Sequence, residues 1–126
     1  HRVLEGALIV AGDGYWRDHF NFGSRAKTKN SALLGRGKVS EIIVNVLLPF
    51  AFSWGEIVGE PELRERALQL YLNYHKLAEN EITRHMVRQL CLEDMADFTA
   101  CQQQGLIHIF RNYCREGKCT QCPLAN

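Results

Sequence analysis

Three thiols crowd into the last thirteen residues of the chain. Cys114, Cys119 and Cys122 fall within nine positions, the last two as a Cys-x-x-Cys pair followed by Pro123. Two sulfurs separated by two residues turn readily onto one tetrahedral zinc ion or one face of a 4Fe–4S cluster, and a third thiol nearby almost closes the site. The expected ligands are therefore Cys114, Cys119 and Cys122, and the expected cofactor is a 4Fe–4S cluster or zinc. The tail supplies no fourth ligand, which leaves Cys101, Cys91 and His108 as candidates. Cys91 and Cys101 lie on apolar faces and also read as small core residues. Five cysteines, an odd number with three clustered, favour metal-bound thiolates in a reducing cytoplasm over a secreted disulfide framework.

A second constellation is Leu34-Gly35-Arg36-Gly37-Lys38, directly before the most apolar stretch of the chain. Two glycines flanking one residue read as a tight turn whose backbone N–H groups face an anion at a helix start. The spacing is not that of a P-loop. Net charge is only +1, yet Arg25, Lys27, Lys29, Arg36 and Lys38 follow one another with no acid between them. Gly35, Arg36, Gly37 and Lys38, joined by Arg115 and Lys118 beside the thiols, are the candidate phosphate contacts of a DNA or other nucleic-acid partner. His75 and His85 lack the H-E-x-x-H spacing of a zinc protease, and no serine has the context of a nucleophile elbow.

The elements that must hold these groups are helical. Val3, Leu4, Ala7, Leu8 and Ala11 follow helical spacing and predict a first helix that Gly12-Asp13-Gly14 ends. Tyr15 to Phe22 predicts a second short helix, and Gly23 to Ser31 a loop. Val39 to Trp54 predicts a central helix buried on most sides and kinked near Pro49, with Glu41 and Asn45 bonded to neighbours. Pro61 opens the next helix, whose inner stripe is Leu63, Ala67, Leu70, Tyr71 and Tyr74. Asn80 caps a helix running to about Cys91, and a last helix from Met95 to Tyr113 delivers the chain into the thiols. Gln102-Gln103-Gln104 reads as the solvated face of that helix. No strand stands out. The expected fold is all-α, about six helices around a buried central one, in a single domain spanning residues 1–126.

Two resemblances follow. The Gly35-Arg36-Gly37 turn before Ile42 to Phe52, and Gly105 to Leu124 with its thiols, distantly resemble the helix-hairpin-helix and Fe–S half of DNA glycosylases of the endonuclease III type. That likeness implies an amine nucleophile paired with a carboxylate, here Lys38 with Glu56 or Glu60. Arg36 stands where those enzymes carry an apolar residue, and nothing follows Cys122 to match their fourth cysteine. More of the chain, through Tyr15-Trp16, Leu34 to Gly37, Ile43 to Phe50, Glu79 to Ile82, Gln104 to His108 and the thiols, resembles the C-terminal region of an uncharacterised bacterial family, a domain of unknown function.

Without an initiator methionine the chain reads as the C-terminal piece of a longer protein, so a missing N-terminal domain is an expected partner. No apolar run approaches the roughly 20 residues of a membrane span, and no membrane partner is expected. The function these readings point to is a non-catalytic, metal- or Fe–S-stabilised helical module that binds nucleic acid or another partner. The alternatives are a diverged glycosylase/lyase and a purely structural domain packed on the missing part.

Overall fold

The computed structural model of the chain describes residues 1–25, 32–92 and 98–125, without the Phe20 side chain. Lys27, Lys29, Ser31 and the expected Met95 helix start fall outside the described residues. The fold is all-α, with five helices rather than six among the described residues, plus one short hairpin.

Helix α1, Arg2–Leu8, is shorter than its apolar spacing predicts, because Ile9 already has extended backbone. Leu4 and Leu8 turn inward onto the core. Where a second helix was expected, Gly14–Arg17 makes one 3-10 turn capped by Asp13, whose carboxylate accepts from the Gly14 N–H at 2.7 Å. Strand β1, His19–Asn21, then pairs antiparallel with β2, Ser24–Arg25. Ring contacts overrule the helical reading. Tyr15 stacks on His19 at 3.9 Å, its hydroxyl donates to the Asn21 carbonyl and accepts from the Gly23 N–H, and Gly23 turns the chain at φ +84°.

Helix α2, Arg36–Ile57, begins three residues before the expected Val39 and continues through Pro49. Its irregularity lies upstream, in a π turn over Ile43–Leu47. A proline has no N–H, and its ring presses on the carbonyl one turn back; the widened turn meets that demand without ending the helix. Within the turn the Asn45 amide donates to the Glu41 carbonyl at 2.9 Å, so both polar residues are bonded to neighbours as expected. Val39, Ile43, Val44 and Leu48 are buried, but Ile42, Val46, Phe50 and Trp54 face outward. The helix is therefore buried along one side only, not on most sides. The neighbours that would cover its second side are absent among the described residues.

Helix α3, Pro61–Leu72, starts on its proline and returns along α2. The crossing is close. A Cβ built on Gly55 would lie 2.8 Å from the Arg64 nitrogen and 3.0 Å from the Glu60 carbonyl, so only glycine fits. Helix α4, Glu81–Gln89, has the expected Asn80 cap in reciprocal form: Asn80 accepts from the Thr83 N–H, and Thr83 Oγ1 from the Asn80 N–H. Helix α5, Ala100–Ile109, is capped by Thr99 and Gln102 in the same way and runs on through a second π turn, Phe110–Cys114.

Two cores result. Val39, Ile43, Val44, Leu48, Tyr74 and Ala100 form the first; Met86, Phe98 and Leu106 form the second, against α4 and α5. Residues 73–80 run irregularly between α3 and α4, yet Tyr74 in this stretch is fully buried. Buried irregular backbone needs partners. The Tyr74 carbonyl accepts from the Ala100 N–H at 2.9 Å, while Gln103 accepts from the Leu77 N–H at 2.7 Å and donates to the Leu77 carbonyl at 3.2 Å. The glutamine run is thus not a solvated face. Gln102 caps α5, buried Gln103 clamps Leu77, and Gln104 donates to Asn45 Oδ1 at 3.0 Å.

Gln103→Ala removes two hydrogen bonds and strands two backbone groups, which predicts a loss of about 2–4 kcal/mol. Gln102→Ala, which loses only its cap, costs about 1 kcal/mol. Urea titration followed by circular dichroism measures both, and equal losses would contradict the clamp.

Candidate interaction surface and thiol tail

Each expected site residue has a place in this fold. Gly35 is the residue before α2, with extended backbone and no side-chain cap, while Arg36, Gly37 and Lys38 form the first helical turn. The Gly-x-Gly motif is therefore a helix entry. Arg36 and Lys38 are exposed, and Lys38 already pairs with Glu41 at 2.6 Å.

The thiol tail continues directly from α5. Cys114 closes the second π turn and packs against the Met86–Phe98–Leu106 core. Two further turns wind the chain: the Gly117 N–H donates to the Cys114 carbonyl, and Cys119–Gln121 form a 3-10 turn closed by the Cys122 N–H on the Cys119 carbonyl at 3.1 Å. Cys119 is exposed, and Cys114 and Cys122 are half-buried. Among the described residues no three His, Cys, Asp or Glu side chains converge as a metal cage. The fourth-ligand candidates lie outside the wound tail. Cys101 is half-buried beside Tyr71, His108 Nδ1 lies 3.2 Å from the Asn112 amide, and Cys91 is exposed at φ +52° just after α4.

The structure packs the two basic groups on different elements. The first turn of α2 contacts α1, whereas the tail holding Arg115 and Lys118 contacts the end of α5. Arg115 lies 3.5 Å from Glu116. The amine–carboxylate pair of a lyase does not form within the chain either. Lys38 and Glu56 sit in the first and last turns of one helix, about 27 Å apart at 1.5 Å per residue.

Two features escaped the sequence reading. One is a cleft between α4 and α5, with Arg84, Arg88 and Lys76 at its rim over Leu92, Phe98 and Leu106. Lys76 there pairs with Glu79 at 2.6 Å and holds its carboxyl below the usual range. The other is the outer face of α2, where Ile42, Val46, Phe50, Trp54 and Ile57 recur about every four residues in water. That signal was present in the sequence as a run from Ile42 to Gly55 without a single charge. By length and composition α2 is also apolar enough to cross a membrane, which the sequence reading had not expected of any segment; only 28% of its most apolar window is buried.

An all-α domain with a half-covered central helix and a wound thiol tail is the class that the fold and these surfaces define. The chain belongs to a protein family of unknown function, DUF2851, whose family model matches residues 2–81. The match takes in α1 to α3 and ends at the start of α4, so α5 and the thiols lie outside it. No curated protein and no solved structure matches the chain, and the likeness to endonuclease III-type glycosylases finds no support there.

Burial pushes two phenols up. Tyr71 is raised first by desolvation and then by Cys101; Tyr74 is raised by desolvation and Glu5, against a lowering hydrogen bond from Ser40. A proton held more tightly in the folded state stabilises it below the unfolded pKa of about 10, and that stability is lost as pH rises through the folded value. Alkaline unfolding should therefore steepen above about pH 10, and Tyr74→Phe should flatten it. Thermal melts across that range check the sign.

Proposed function

We propose that this domain is a non-catalytic interaction module whose working surface is the outer face of α2 and whose thiol tail is stabilised by zinc or an Fe–S cluster. The observation that carries the reading is that face: an uncharged run of large side chains in water on the helix that also builds the core. Monomeric soluble proteins rarely leave a continuous apolar patch of that kind without a partner.

The test is a photo-cross-linking residue placed at Val46, with one at exposed Glu62 on α3 as control. Val46 should give a covalent protein adduct and Glu62 none. A chain that forms no adduct through Val46, with itself or with any other protein, overturns the module reading.

The metal reading is supported by the donor set and by the tail's winding. Cys114, Cys119 and Cys122 sit at the ends of successive turns that bury few apolar side chains, and a bound ion would account for such ordering. Metal and sulfide analysis of anaerobically purified protein should find about one zinc or one cluster per chain. Cys119→Ser and Cys122→Ser should lose it and Cys91→Ser should keep it. A metal-free wild-type chain overturns the reading. Nucleic-acid contact through Gly35–Lys38, Arg115 and Lys118 is the weaker proposal, because Lys38 and Arg115 already have acidic neighbours.

A further inference from the structure

We propose that the outer face of α2 pairs with the same face of a second copy of this chain, antiparallel, about a two-fold axis near residue 48. This rests on reading that face as the working surface and adds the identity of its occupant.

The first support is the row of side chains itself. Val46, Phe50 and Ile57 are 60%, 62% and 77% exposed, and Phe50 and Trp54 stack at 6.1 Å and 13° into a flat aromatic plate. Buried aromatic side chains are the usual anchors of an interface. The π turn helps keep the row on one side, since a widened turn slows the drift of residues spaced four apart.

The second support is the order of charges. Arg36 and Lys38 occupy the first turn of α2 and Glu56 its last, with Glu60 just beyond. This order opposes the helix dipole, which favours acids at the start and cations at the end. An antiparallel copy reverses the penalty at both ends. With the axis near residue 48, Val46 meets Phe50, Ile42 meets Trp54, and the Arg36–Lys38 turn comes beside Glu56 of the other copy. Such self-complementarity is what an isologous dimer requires.

A lipid bilayer fits less well. The charge-free run from Ile42 to Gly55 is fourteen residues, about 21 Å of helix, against a hydrocarbon core of about 30 Å. The opposite side of α2 is already packed on α3.

Sedimentation equilibrium of the chain decides the matter. The wild type should be dimeric at about 100 µM. Val46→Glu with Phe50→Glu should be monomeric, its Kd raised about thirtyfold or more, with an unchanged helical spectrum because both side chains are exposed. Glu56→Lys alone should weaken the dimer about two- to fivefold, and adding Lys38→Glu should restore it. A wild-type monomer, a dimer that survives the double glutamate variant, or a failed charge-swap rescue overturns the proposal. So does partition of a monomeric chain into phosphatidylcholine vesicles. A Val46 cross-link that joins only a different protein also overturns the dimer while leaving the module reading intact.

Discussion

The structure depends on keeping an irregular stretch of backbone inside the molecule. Residues 73–80 leave α3 without starting a helix, yet they carry Tyr74 through the first core. Backbone polar groups can be taken out of water there only because α5 meets them: the Ala100 N–H satisfies the Tyr74 carbonyl, and Gln103 satisfies both groups of Leu77. The stretch in turn sets where α4 begins. It also presents the Tyr74 hydroxyl to Glu5 at 2.9 Å, which holds α1 in place. One buried glutamine thus connects the two cores.

A second device recurs. Each π turn has an asparagine at its third position whose amide donates to a backbone carbonyl one turn back, Asn45 to Glu41 and Asn112 to His108, both at 2.9 Å. A widened turn breaks the regular i→i−4 ladder, and a short side-chain amide supplies a donor where the ladder slips. In α2 this accommodates Pro49 and leaves the helix uninterrupted. In α5 it carries the chain on to Cys114 at the edge of the second core.

The helical class, the Pro61 start and the Asn80 cap were legible in the sequence because they follow from local chemistry: apolar period, a missing N–H, and an acceptor placed before three free donors. The hairpin at His19–Arg25 was not, since aromatic residues at Tyr15, Trp16 and Phe22 serve a helix face and a stitched turn equally well. Gln103 was misread for a related reason. Its partner, Leu77, is 26 residues away, and composition alone cannot distinguish a glutamine in water from one clamping buried backbone. The candidate surface was legible as charge-free sequence but was assigned to the interior, because a run of that kind shows apolar character and not how many neighbours the fold provides. The thiol spacing was plain from the outset, while the arrangement of the side chains around it depends on turns that spacing does not determine.

The bond between Tyr74 and Glu5 joins residues 69 positions apart. Closing so long a loop costs more chain entropy than forming α2 and α3, which meet across the three-residue link Val58–Glu60. The helical hairpin therefore assembles early, and α1 docks afterwards onto a surface that exists only once α5 has fixed Tyr74. In the native state the same order runs in reverse. The first segment to open is α1, which has no fully buried residue of its own, so exchange of its amides reports how firmly Tyr74 is seated.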